Sequence, residues 1–222
     1  MEIIQDIDAL GWTQKTKLVY EPIPDLCIPS EMPALKKVLP RLHSKYLLPG
    51  GGLVTKAQNT NSCLVFSPNH EEAGTLFGEA IEEQEAEGKP TAIEELAQSY
   101  LDLGLPSTVI IRSGKLGAYV QQAAHSGRDR SMAQDGLWIP AYYRNSDKVV
   151  DVTGAGNAFL GGLMAGLHLE NEDIQQACLY GSVSSSYIIE QYGLPSLGKD
   201  GTWNGEDKPT DRLEAMRKRL HI

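Results

Sequence analysis

Short apolar runs alternate with amphipathic segments along the chain, and this alternation is the strongest constraint on its fold. Apolar runs at residues 18–20, 64–66, 109–111 and 118–120 predict short buried strands. Apolar side chains recur at helical spacing between the second and third of these runs, which predicts helices there. Strands that alternate with helices predict an α/β domain with a mostly parallel sheet. In such sheets, ligands bind beyond the carboxyl ends of the strands.

The remaining segments follow from periodicity and from the positions of proline and glycine. Helices are predicted at residues 31–39, 73–81, 91–101, 156–168, 173–191 and 210–220. Short extended pieces are predicted at residues 138–140 and 148–150. Polar loops are predicted at residues 49–62 and 125–136.

Composition limits the class of protein. The chain has 222 residues and a net charge of −9, which fits one domain and argues against a nucleic-acid-binding surface. Cys27, Cys63 and Cys178 lack metal-binding spacing, which predicts reduced thiols. Residues 1–10 lack a signal-peptide pattern, and no apolar run reaches membrane-spanning length. We therefore expect a cytoplasmic protein without a membrane partner.

The segment Asp151–Gly162, DVTGAGNAFLGG, carries the clearest chemical signal. Its small residues form a turn that opens directly into a helix. Glycine lets the backbone approach a ligand, and a helix start presents unpaired N–H groups and a positive dipole end. This arrangement suits a phosphate or a developing oxyanion. The alternative is a turn that only packs against a neighbour, and Gly161, Gly162 and Gly166 could serve close helix packing alone.

The same segment closely resembles the second signature of the PfkB/ribokinase family of sugar and nucleoside kinases, which reads roughly D-T-T-G-A-G-D-x-F-x-G-G. Three further segments agree in the family's order: residues 66–73 with P-N-x-x-E-A, residues 109–118 with V-V-V-T-x-G-x-x-G-A, and residues 139–151 with the stretch before the signature. Residues 19–27 and 203–205 are similar to a fungal subgroup, the maintenance-of-killer proteins.

The resemblance implies a ribokinase-like three-layer αβα sandwich with a mostly parallel sheet. It implies that residues 1–222 form a single partial domain, the nucleotide-binding and C-terminal half. The family's opening strands, first Gly-Gly signature and substrate lid, which hold most sugar contacts, have no counterpart in this sequence. A sheet without those strands exposes apolar surface and an unpaired edge. We therefore expect self-association or a homo-oligomer when the chain is expressed alone.

The implied activity is ATP-dependent phosphorylation of a hydroxyl on a small sugar or nucleoside, assisted by Mg²⁺. In the family, the Asp after G-A-G is the general base, and Asn157 stands at that position. An amide cannot take a proton near neutral pH. The resemblance therefore implies either a slowed kinase or a non-catalytic pseudokinase that binds nucleotide or a protein partner. Gly154, Ala155 and Gly156 would form the anion-binding turn beside Asn157.

Asn69 and Glu72 match the family's N-x-x-E pair, which organises phosphate and magnesium, usually through water. Glu72 would be the metal-side residue, and Asn69 would lie on the phosphate side. The same spacing also predicts a capping box at a helix N-terminus, and the two roles are compatible.

The resemblance also implies nucleotide contacts in two other segments. Arg112 stands where the family usually has Thr beside the nucleotide, and a cation there can still meet phosphate. Gly114 and Gly117 keep the family's glycines, although an ordinary strand-connecting turn would need them too. Ser182 lies in the segment that resembles the helix lining the adenine pocket, where close helix packing is the alternative.

Overall fold

A computed structural model describes residues 18–37, 64–79, 81–82, 88–103, 108–123, 136–143 and 146–221. Within these ranges, five strands form one sheet in the order β1–β2–β3–β4–β5. Strands β1, β2 and β3 pair in parallel, so the predicted α/β class with a mostly parallel sheet is confirmed. The strands are β1 (Leu18–Tyr20), β2 (Leu64–Phe66), β3 (Thr108–Arg112), β4 (Ala118–Gln122) and β5 (Leu137–Ile139).

The helices confirm most of the periodicity predictions, with ends that shift by a few residues. The helix predicted at 31–39 is present over residues 32–37, beyond which the chain is not described. No helix in the described ranges is both long and apolar enough to cross a bilayer. The longer helices are α1 (His70–Phe77), α2 (Pro90–Asp102), α3 (Ala155–Leu169), α4 (Ile174–Ile188) and α5 (Pro209–Leu220).

One prediction, the extended piece at residues 148–150, is wrong. Ser146–Lys148 forms a 3₁₀ turn instead. Val149 and Val150, which follow, are β-branched residues typical of strands. The Val150 N–H, however, donates to the carbonyl of Ile189 at 2.8 Å rather than to a neighbouring strand. The loop predicted at residues 49–62 and Cys63 lie outside the described residues, as does all but residue 136 of the loop predicted at 125–136.

The chain divides into two compact units. Unit 1 comprises residues 1–111 and 119–137, and unit 2 comprises residues 112–118 and 138–222. Each unit has its own buried core. The sequence predicts that residues 1–222 form a single partial domain, and this stays a prediction.

The core of unit 1 is built around Phe66 on β2. Its ring stacks on Tyr20 at 6.0 Å between centroids and meets the ring of Tyr100 on α2 at 4.8 Å. The Tyr100 hydroxyl donates to the carbonyl of Ala73 on α1 at 2.8 Å, so its polar end is satisfied. This contact ties the two helices of unit 1 together beside the buried strands.

Unit 2 is organised by close packing of α3 against α4. A Cβ atom built on Gly162 would lie 2.3 Å from the Tyr180 carbonyl oxygen, and one on Gly166 would lie 2.6 Å from the Cα of Ala177. Both glycines therefore serve helix packing, as one interpretation of the sequence expected. Gly161 does not, because among the described residues no atom beyond the adjacent backbone of its own helix lies within 4 Å of its Cβ position.

Candidate functional site

The turn before α3 has the geometry of an anion-binding loop. The Asp151 carboxylate accepts the Thr153 N–H at 3.0 Å, and this backbone hydrogen bond lowers the pKa of Asp151. Gly154 follows with a φ of +82°, a left-handed conformation that favours glycine. Helix α3 starts at the next residue, so the left-handed glycine is the N-cap of the helix.

The start of α3 leaves backbone donors available. Its first intrahelical bond runs from the Ala158 N–H to the Gly154 carbonyl, at 2.9 Å. Among the described residues, the Gly156 and Asn157 amides have no backbone acceptor, and no side chain caps the helix. The Asn157 side chain is exposed. Free amides at the positive end of a 15-residue helix can hold a phosphate or stabilise a developing negative charge.

Helix α4 holds this turn at two points. The Ser185 hydroxyl donates to the Ala155 carbonyl at 2.8 Å. At the end of α4, the Ile189 carbonyl accepts the amides of Val150 and Asp151 at 2.8 and 3.3 Å. The turn is therefore fixed on both sides by one helix, although its central amides remain available.

The β3–β4 connection forms a second element of the candidate site. Gly117, with a φ of +97°, accepts the Ser113 N–H at 2.7 Å and donates to the Gly114 carbonyl at 3.1 Å. A Cβ on Gly117 would lie 2.0 Å from the Ile139 carbonyl oxygen, so only glycine fits there. Arg112 is half-buried at the end of β3, directly before this turn.

Ser182 reaches the same part of the backbone from α4. Its hydroxyl donates to the Pro140 carbonyl at 3.2 Å, and Gly117 packs against residues 139–141. Two residues predicted to contact the nucleotide, Gly117 and Ser182, thus lie against one backbone segment, and Gly114 is hydrogen-bonded to Gly117. The same helix contacts Ala155 through Ser185, so α4 contacts both the turn before α3 and the Pro140 backbone beside Gly117.

Asn69 and Glu72 form the predicted capping box in unit 1. The Asn69 side chain accepts the Glu72 N–H at 2.7 Å, and the Glu72 carboxylate accepts the Asn69 N–H at 2.8 Å. This reciprocal pair satisfies two amides at the start of α1. Within the described ranges, no group of three His, Cys, Asp or Glu side chains could hold a metal ion. The metal role of Glu72 stays a prediction.

Sequence reasoning missed the buried Arg212 and its partner Glu190. Arg212 on α5 is fully buried, and its Nη1 lies 2.6 Å from Glu190 Oε1. No local motif predicts this pair, because the two residues are 22 positions apart in the sequence. The available signal was the position of Arg212 on the apolar face of its helix, beside Leu213 and four residues before Met216.

The structure resembles solved sugar-kinase folds. Phosphofructokinase-2 from Escherichia coli aligns with 100% of this chain and 53% of its own, with a TM-score of 0.55 and 12% identity. Ribokinase from Thermotoga maritima aligns with 94% of this chain and 59% of its own, with a TM-score of 0.51 and 16% identity. These likenesses confirm the ribokinase-like fold class.

Sequence comparison gives the family. Protein MAK32 of Saccharomyces cerevisiae is 31% identical over 215 residues, which cover 92% of this chain and 50% of that protein, in agreement with the fungal subgroup. The chain spans about half the length of the curated relatives it matches. The profile of the pfkB family of carbohydrate kinases matches residues 49–198, including the segments of the candidate site. The chain therefore belongs to the pfkB family of carbohydrate kinases.

Proposed function

We propose that this chain is the nucleotide-binding and C-terminal part of an ATP-dependent sugar or nucleoside kinase-like protein. The observation that carries the proposal is the start of α3, where left-handed Gly154 precedes the unbonded amides of Gly156 and Asn157. These donors fit the γ-phosphate of ATP, whose developing charge they would stabilise. Substitution at Gly154 would strain this turn, because other residues rarely adopt its φ.

Other predicted residues keep the nucleotide roles proposed for them within their own units. Gly114, Gly117 and Ser182 would bind the nucleoside part of ATP around residues 139–141, and Arg112 would meet phosphate. Asn69 keeps its proposed phosphate role, because its side-chain N–H₂ can donate to a phosphate oxygen. Glu72 keeps its proposed metal role, because carboxylate oxygens are ligands that Mg²⁺ takes, often through water. When bound, the ion would neutralise phosphate charge.

Asn157 limits the chemistry that this site can perform. Its amide oxygen can accept a hydrogen bond from a substrate hydroxyl and orient it, but cannot take the proton. Positioned proton transfer contributes about 10²–10⁴ in rate. Charge stabilisation by the backbone amides is independent of the side chain at residue 157. We therefore propose a slow kinase, with transfer limited by loss of the base.

A non-catalytic pseudokinase is the second candidate, acting as a nucleotide-binding or protein-interaction module. Two sequence features favour it: Asn157 in place of the base, and Arg112 in place of the family's threonine. Both residues keep polar groups that can bind a phosphate, but Asn157 cannot accept a proton and Arg112 departs from the family's residue beside the nucleotide. The two candidates differ in whether bound ATP is consumed.

The decisive experiment is Asn157→Asp in the full natural protein, with Asn157→Ala as the matched control. Phosphoryl transfer from ATP is measured across a panel of sugars and nucleosides. We expect Asn157→Asp to raise the rate by about 10²–10⁴ and Asn157→Ala to give no increase. A rate that is undetectable or unchanged in the Asp variant would contradict the proposed loss of the base.

Measuring nucleotide binding together with turnover distinguishes the pseudokinase from the slow kinase. At a ligand concentration of 100 Kd, a bound nucleotide stabilises the folded state by about 2.7 kcal/mol, which thermal denaturation with Mg-ATP can detect. Stabilisation without turnover in the natural protein and in Asn157→Asp supports a pseudokinase. Gly154→Ala is the control, because it strains the anion-binding turn. If Mg-ATP stabilises neither the natural protein nor Asn157→Asp, nucleotide binding by this site is wrong.

A further inference from the structure

A single buried guanidinium, that of Arg212, joins several segments of unit 2. Its Nε donates to Asp207 at 2.8 Å, and its Nη1 donates to the Ser186 hydroxyl at 2.8 Å. Nη1 also lies 2.6 Å from Glu190 Oε1. The guanidinium carbon lies 3.6 Å from the centroid of the Tyr187 ring. Arg212 thus connects α5, the end of α4 and the loop before α5.

Glu190 is held from several directions. Only 7% of its side chain is exposed. Besides the Arg212 contact, it accepts hydrogen bonds from the Tyr143 hydroxyl and from Asn204 Nδ2, the latter at 2.7 Å. Asn204 also donates to the Tyr187 carbonyl at 3.0 Å. A buried carboxylate with three donors is confined to one position, because losing any donor leaves buried charge less well satisfied.

Two of the donors to Glu190, Arg212 and Tyr143, have pKa values above their ordinary range. Burial lowers the pKa of Arg212, but its hydrogen bonds to Glu190 and Asp207 outweigh burial and raise the pKa above its ordinary value. Burial, followed by the hydrogen bond to Glu190, raises the pKa of Tyr143, so its hydroxyl keeps the proton that it donates. Both side chains are therefore protonated and can donate to Glu190 at neutral pH.

The cluster adjoins the anion-binding turn through one backbone carbonyl. Glu190 directly follows Ile189, whose carbonyl accepts the amides of Val150 and Asp151 at the start of that turn. Displacement of Glu190 would move this carbonyl and the residues attached to it. The free amides of the turn lie only a few residues further along the chain.

We infer that the Glu190–Arg212 pair is a positioning element for the anion-binding turn at residues 151–157. The pair fixes the Ile189 carbonyl and thereby sets the direction of the amides that hold phosphate. This inference rests on the proposed function, because phosphate binding at the turn does. Buried ion pairs give little net stability compared with apolar packing of the same volume, whereas their directional hydrogen bonds fix geometry. The described contacts therefore favour a geometric role.

The test compares Glu190→Gln with a matched control, Glu170→Gln. Glu170 accepts hydrogen bonds from Arg217 and the Tyr180 hydroxyl, both at 2.7 Å, so it has the same kinds of donor. It lies at the opposite end of α3 from the turn. Amide hydrogen exchange at residues 150–157 and equilibrium affinity for Mg-ADP are measured on the full natural protein.

We expect Glu190→Gln to accelerate amide exchange at residues 150–157 and to weaken Mg-ADP binding about tenfold. This is the lower end of the roughly 10–100-fold loss seen when a group that orients a metal ligand is replaced, which we take as the guide for a positioning residue. Glu170→Gln should change neither quantity. If Glu190→Gln fails to fold, Tyr143→Phe, which removes one donor to Glu190, is expected to accelerate exchange at the same residues.

Unchanged exchange at residues 150–157 in the folded Glu190 or Tyr143 variant would overturn the inference. An equal effect in Glu170→Gln would also overturn it, because the response would then be general loosening. If the natural protein binds no Mg-ADP, the proposed function fails, and exchange alone decides whether the pair positions the turn. Accelerated exchange with unchanged affinity would refute a positioning role in binding.

Discussion

Adjacent glycines in α3 provide a sharp test of the packing described for unit 2. Gly161 and Gly162 occupy the same helix and the same sequence motif, yet their surroundings differ completely. Gly161 is exposed, and apart from the adjacent backbone of α3 no atom in the described part of the chain lies within 4 Å of its Cβ position. A Cβ on Gly162 would lie 2.3 Å from the Tyr180 carbonyl oxygen and 2.8 Å from the Cβ of Ser184. The same substitution to alanine should therefore have opposite effects at the two positions.

The expected magnitudes follow from these distances. Replacing a helical glycine by alanine gains about 1 kcal/mol from backbone entropy, and Gly161→Ala should show this gain in full. At Gly162, the new methyl group would sit more than 1 Å inside the optimal separation of about 3.5 Å. The obstacle is backbone, which no rotamer change can relieve, so α3 and α4 must separate. Overpacking costs about 1–3 kcal/mol, which leaves Gly162→Ala destabilised by up to about 2 kcal/mol.

Urea denaturation monitored by tryptophan fluorescence can measure both effects. Trp138 and Trp203 both lie in unit 2, and a Trp12→Phe background confines the signal to them. The difference in midpoint at constant m-value gives the change in free energy of unfolding. If both variants shift the midpoint in the same direction, the close approach of α3 and α4 is wrong.

Three further predictions concern stability and association. Burial, then the charge of Glu72, raises the pKa of the Cys27 thiol from 9.0 to about 11. Between these pH values the folded state keeps a proton that the unfolded state loses, so the free energy of unfolding should fall as pH rises. Its pH dependence should be flatter in Cys27→Ala, and an identical pH dependence in the two proteins would contradict this. Asn69→Ala should lower the free energy of unfolding, measured in urea, by about 1 kcal/mol, whereas Asn69→Ser should leave it nearly unchanged because serine also caps a helix. An equal decrease in both variants would argue against the capping role. Tyr192 and Leu194 are 79% and 86% exposed, so sedimentation velocity should show self-association that serine substitutions at both positions reduce; a monomer at every concentration would refute this.

Features encoded within a few residues could be predicted from the sequence. The capping box depends on two side chains three positions apart, and the structure forms both of its hydrogen bonds. The left-handed Gly154 at the start of α3 is likewise predicted from adjacent small residues, whereas the contacts of the turn with α4 are not. Local patterns suffice for such features because the interacting backbone groups are already neighbours in the chain.

Features that depend on distant partners could not be predicted in the same way. Val149 and Val150 have the composition of a strand, but the Val150 amide pairs with the end of α4, so the extended piece is absent. Arg212 is an arginine on an apolar helix face, and its burial is stabilised by carboxylates from residues 190 and 207. Tertiary contacts override local preference in both cases.

The position of Asn157 explains why the sequence predicts the fold of this chain more directly than its catalytic activity. The shape of the turn depends on the φ of Gly154 and on the contacts of Ala155 and Ile189 with their partners. The Asn157 side chain is exposed and forms no hydrogen bond to the described residues, so the turn does not depend on it. In the proposed reaction, a substitution there would change proton transfer without changing the backbone of the turn. For the same reason, Asn157→Asp should leave the free energy of unfolding within about 0.5 kcal/mol, so any change in rate reports chemistry alone.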